Sequence, residues 1–117
     1  MITLRETKEN IVDDPKHWVI HLMDFVDDFR YFKNPDAVKE PFELSDEKMD
    51  AMLASAASQL CSELRVEIPT WLWEVPSCKH PWFVSGMDSL RAIALVESPL
   101  YFRLRQIFVL ENFLSRA

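Results

Sequence analysis

The chain predicts an all-α fold: a single compact domain of about four main helices, residues 1–117, with a Trp/Pro-rich irregular segment. Three observations carry this. The 117 residues hold one glycine, so tight two-residue hairpins lack their usual turn residue. Seven prolines divide the chain into segments. Within several of those segments, apolar residues recur every three or four positions, the period of a helix rather than of a strand. Hydrophobic residues make up 49% of the chain, including four Trp and eight Phe, which is ample for one core.

Residues 1–14 place Ile2, Leu4, Ile11 and Val12 among charges and read as a flexible or extended arm. Asp13-Asp14-Pro15 then supplies a carboxylate cap and a first-turn proline, which opens a helix predicted over 15–32. Trp18, Leu22, Phe25, Val26 and Phe29 form its apolar face. Residues 33–44 hold two prolines and read as a loop. Ser45-Asp46-Glu47 starts a second helix over 45–65, with acids in the first turn where the helix dipole favours them. Met49, Met52, Leu53, Ala56, Leu60 and Leu64 supply its buried face, and its Ala/Ser-rich middle admits another helix closely.

The segment 66–83 contains Pro69, Trp71, Trp73, Pro76, Pro81 and Trp82 and is predicted irregular, with a helical turn at Thr70–Trp73. Trp is mostly buried when its N–H finds a partner, so this segment reads as a lid over the helices, with an aromatic groove as the alternative. Ser85 and Asp88 have capping-box spacing and open a helix over 86–97. It ends at Ser98-Pro99, because a residue before proline is pushed out of helical geometry. A last helix is predicted over 99–116, apolar around most of its circumference, with a polar stripe of Tyr101, Arg105, Asn112 and Arg116. Such a helix fits two roles, the central strut of the domain or a docking surface.

Net charge is −6, and the excess acid is confined to the first half. Residues 1–50 carry 13 acids against 7 Lys and Arg, whereas 51–117 carry 6 of each. That balance speaks against nucleic-acid binding by phosphate neutralisation, which needs a basic face. The single glycine excludes a glycine-rich phosphate loop. Cys61 and Cys78 are too few for a disulfide framework and read as reduced thiols of a cytoplasmic protein. No apolar run approaches the ~20 residues of a membrane span.

Two chemical constellations stand out. His17, His21, Asp24 and Asp28 fall within a sector of roughly 60° on the first predicted helix. Two His one turn apart with carboxylates beyond them suit a divalent metal, and hence a metal-dependent enzyme. The bland reading is that they form the solvated side of an amphipathic helix whose other side is apolar. Cys78 and His80 lack the paired spacing of a zinc site, and two residues apart in an extended chain they point to opposite sides. On the last helix, Tyr101, Arg105, Asn112 and Arg116, with Phe108, are the candidate partner-binding residues, since interfaces favour Tyr and Arg. Arg103, among apolar neighbours, is expected in an internal ion pair with Asp24 or Glu97.

Glu97-Ser98-Pro99, Phe102-Arg103, Arg105, Ile107-Phe108-Val109, Asn112 and Leu114-Ser115-Arg116-Ala117 resemble the ending of a family of small prokaryotic proteins. Pro81-Trp82-Phe83, with Gly86 and Leu90, resembles the block upstream of that ending. The likeness spans about residues 69–117 and leaves the first 65 outside it. Leu104 and Gln106 depart from the more polar pair at those positions. The family is similar in neighbourhood to nucleotidyltransferase-type toxin–antitoxin modules. The resemblance therefore implies an antitoxin-like, non-enzymatic partner protein and supplies no catalytic residue or cofactor. The expected function is a protein–protein interaction module that docks on a partner or a second copy through the C-terminal helix. The alternatives are the metal-dependent enzyme and a nucleic-acid-linked regulator.

Overall fold

The computed structural model describes residues 1–115. It is mostly helical: α1 (Leu4–Asp13), α2 (Trp18–Phe32), α3 (Glu47–Glu63), α4 (Thr70–Trp73), α5 (Arg91–Glu97) and α6 (Leu100–Arg103). Three 3-10 turns lie at Pro15–His17, Pro35–Val38 and Asp88–Leu90. A departure from all-α is a pair of two-residue strands, β1 (Trp82–Phe83) and β2 (Ile107–Phe108), which run parallel in the register Trp82↔Ile107 and Phe83↔Phe108. No helix is long and apolar enough to cross a membrane among the described residues.

The helices expected near 15–32 and 45–65 are present as α2 and α3, and the helical turn at Thr70–Trp73 is α4. Local chemistry explains the start of α3. Asp46 caps it by accepting from the amides of Lys48 (3.0 Å) and Met49 (3.3 Å). Its end is a Schellman-type closure, in which the Val66 amide donates to the Cys61 carbonyl at 2.8 Å and Arg65 takes a left-handed φ of 58°. The central strut of the domain is this helix: every residue from Asp50 to Ser58 is buried. Ala51, Ala54, Ser55, Ala57 and Ser58 make it thin enough for α1, α2, α4 and α6 to pack around it. The core is one cluster that runs from Leu4 through α2 and α3 to Ile107 and Leu114.

Two expectations are corrected. Residues 1–14 are not an arm. Thr3 caps α1 by accepting from the Glu6 amide at 3.0 Å, and Leu4, Thr7, Lys8 and Ile11 are buried on one face of it. The i, i+3, i+4, i+7 spacing was present, but two of its four positions are polar, which hid the face. The 99–116 helix stops at Arg103. Gln106 takes φ 60°, and the chain turns into β2. The run Ile107-Phe108-Val109 is β-branched and aromatic, and its backbone is claimed by β1: Trp82 donates to the Gln106 carbonyl (2.8 Å) and Val84 to that of Phe108 (3.2 Å). The helix expected at 86–97 is shortened, with only a 3-10 turn before Arg91. Gly86, at φ 70°, makes the turn between β1 and that segment, a conformation that suits the one residue without a Cβ.

Candidate functional site

The polar stripe expected at the C-terminus does not survive folding as one surface. Arg105 is only 5% exposed. Its guanidinium donates to the carbonyls of Leu72 (2.5 Å) and Val75 (3.3 Å), at the end of α4. Burial pulls its pKa below the usual guanidinium value. It therefore clamps the lid segment to the β2 turn, and its guanidinium is not presented at the surface as the predicted stripe requires. Tyr101 is half-buried beside Trp73, with ring centroids 6.0 Å apart. Phe108 is half-buried and stacks on Phe83 at 5.1 Å. Asn112 is exposed, and Arg116 lies outside the described residues. Arg103 donates through Nε to the Ser98 carbonyl at 2.7 Å, a backbone contact in place of the expected ion pair.

The proposed metal face is also rearranged. His17 and His21 turn toward Asp14 at the junction of α1 and α2. The Asp14 carboxylate meets His17 Nδ1 at 3.0 Å and His21 Nε2 at 3.0 Å. The hydrogen bonds from His21 and then His17 hold the Asp14 carboxyl below its ordinary pKa. Asp28 instead accepts from the Ile2 amide at 2.6 Å, which anchors the start of the chain, and Asp24 lies on the exposed side of α2. Thus His17, His21, Asp24 and Asp28 are not brought together as a ligand set. Among the described residues no group of three or more His, Cys, Asp or Glu side chains is arranged to hold a metal ion.

The lid segment matches its structural reading in two of three tryptophans. Trp71 donates Nε1–H to the Val38 carbonyl at 2.9 Å and meets Phe42 edge-on, and Trp82 packs on Trp18. Trp73 is about half exposed. Cys78 and Cys61 are buried thiols. Desolvation raises both, that of Cys61 to about 11.

The surface that stands out is α5. Only Ala94 of its seven residues is buried. Ile93, Leu95 and Val96 are exposed, Val96 by 77%, and Leu100 and Leu104 follow them to the surface on and just after α6. The sequence reading predicted a helix here but did not single out Leu95 or Val96. The available signal was the apolar run at 92–96, five consecutive residues that cover the whole circumference of a helix.

Beside α5 runs a groove of about 610 Å³ toward the turn at 110–115. Leu90, Ile93 and Leu110 form apolar walls, and Glu97, Glu111 and Asn112 line it as well. The Glu97 carboxylate accepts from the Glu111 amide at 3.1 Å, which ties the end of α5 to the turn. Asn112 is thus the one described residue of the predicted partner-binding set that lines this groove. Compared with family models, curated proteins and solved structures, the chain matches none of them.

Proposed function

We propose that the chain is a non-enzymatic protein–protein interaction module that docks through α5. The observation that carries this reading is a helix with one buried residue and three large exposed aliphatic side chains, Ile93, Leu95 and Val96. A helix this short gains little from its own hydrogen bonds, and most helical stability comes from packing an apolar face. Contiguous exposed apolar surface on a small protein marks a contact site. A partner that covers α5 completes the burial that the chain itself leaves undone. The charged groups inside the molecule support a structural rather than catalytic use of its chemistry, since Lys8 pairs with Asp50 and Arg105 with backbone carbonyls.

The resemblance read in the sequence of residues 69–117 suggests the first partner class to test, a nucleotidyltransferase-type toxin, with this chain in the antitoxin-like role. The test is affinity purification of the tagged chain from its native cell, beside a Leu95→Asp/Val96→Asp variant whose fold is checked by circular dichroism. Both positions are exposed, so the variant keeps its core. A stoichiometric protein, or a second copy seen by light scattering, that is held by the parent and lost by the variant is the expected result. A parent that elutes alone at monomer mass overturns the reading, as does a variant that keeps the same partner.

A further inference from the structure

We infer that the groove between α5 and the 110–115 turn receives a basic, apolar segment of the partner protein, with Glu97 and Glu111 as its charge anchors. This rests on the interaction reading above and names the chemistry of the partner.

Three features of the groove fit together. Its walls, Leu90, Ile93 and Leu110, are aliphatic and adjoin the exposed face of α5. Its charged lining is entirely carboxylate: Glu97 and Glu111 line it, and no Lys or Arg does among the described residues. Neither carboxylate is engaged by a basic side chain of the described residues, whereas Arg91, the nearest cation in sequence to the groove's walls, is held away over the Phe83 ring (5.1 Å) and beside Asp88 (3.3 Å). A trough with aliphatic walls and two carboxylates that no basic side chain of the described residues engages complements a segment that alternates aliphatic side chains with Arg or Lys. Guanidinium forks bind carboxylates bidentately, and the stem of Arg packs on aliphatic walls. An acidic or purely apolar segment would desolvate Glu97 and Glu111 without supplying a cation to offset their charge. The overall charge of −6 works in the same direction at long range by steering a basic partner toward the molecule.

The probe is a short fluorescein-labelled amphipathic helical peptide with a leucine stripe flanked by Arg, beside a second peptide in which every Arg is Glu. Binding is read by anisotropy at low and high salt. The Arg peptide is expected to bind the parent, to weaken with salt, and to lose roughly tenfold affinity to Glu97→Gln/Glu111→Gln. The carboxamide that replaces the Glu97 carboxylate keeps an oxygen that can accept from the backbone amide at position 111, so the tie between α5 and the turn survives the substitution. A control that removes two carboxylates elsewhere on the surface, Glu67→Gln/Glu74→Gln, is expected to bind as the parent does. Equal binding of the Glu peptide, an equal loss in the control, or no binding of the Arg peptide overturns the inference. The interaction reading fails separately, by the Leu95→Asp/Val96→Asp comparison in the native cell.

Discussion

Lys8 shows how much of this fold is decided by one side chain. It is buried, with its ammonium on the Asp50 carboxylate, on the Glu43 carbonyl at 3.0 Å and over the face of Phe42. Asp50 is equally saturated, since its second oxygen accepts from the Ser45 and Asp46 amides. The pair joins α1 to the start of α3. Lys8→Met removes one charge and strands the other in the core, at a cost of about 3–5 kcal/mol. Urea unfolding measures this, and a loss below about 1 kcal/mol would contradict the pairing. At the surface, Asp14 gives a pH signature. Its folded pKa is depressed by His21 and His17, so the stability it contributes is present above the unfolded carboxyl pKa and is lost as pH falls through the lower folded value. Asp14→Asn is therefore expected to destabilise the protein at neutral pH and to match the parent once the medium is acid enough to protonate Asp14. A gap between parent and variant that stays constant with pH rules this out.

At the scale of elements, the corner between α5 and α6 is held to β2 by one hydroxyl. Ser98 is fully buried; its Oγ accepts from the Val109 amide at 2.7 Å and donates to the Val109 carbonyl at 2.9 Å. Both backbone groups of Val109, just beyond the last strand residue, are satisfied by that side chain. Ser98→Ala leaves the two unpaired in the interior, at about 1–3 kcal/mol for each. The expected result is a lower urea midpoint together with faster amide exchange at Val109, while α2 and α3 keep their protection relative to the new global stability. Unchanged exchange at Val109 would show that the hydroxyl is dispensable. The same corner accounts for the shortened C-terminal helix. Pro99 restarts the helix, but the backbone beyond Arg103 finds better partners in β1 and Ser98 than in a further helical turn.

For the molecule as a whole, one core organised on α3 implies that interior groups are exposed together. The radius of gyration of 13.3 Å is that of a tightly folded chain of this length. Cys61 and Cys78 are both buried in that core, and desolvation disfavours their thiolates. Since the thiolate is the reactive form, both thiols are expected to resist Ellman's reagent in the native state and to react together on global unfolding in urea. Rapid native labelling of either one would mean that its surroundings open locally. Against this background α5 stands apart, since Ala94 is buried but Ile93, Leu95 and Val96 are left exposed. Whether a second molecule covers its exposed face is what the docking and charge-complementarity experiments decide.

What was legible in the sequence is local. Caps, prolines and apolar spacing act within about four residues, and they located α2, α3 and the α4 turn with little error. The same signals offered a polar stripe near the C-terminus as the contact surface, and of its described residues only Asn112 lines the candidate groove. What only the tertiary structure decided involves partners distant in the chain. Helix α1 was hidden because Lys8 is buried only when Asp50, 42 residues away, is there to neutralise it. Residues 104–115 have the apolar content of a helix, but Trp82 and Phe83 recruit Ile107 and Phe108 into strands. That pairing turns Arg105 inward, onto the carbonyls of Leu72 and Val75. The imidazoles of His17 and His21 had two sets of carboxylates within reach, and the bend between α1 and α2 chose Asp14. A periodicity reports which residues share a face. Which face is covered depends on backbone and charge partners that no local pattern contains.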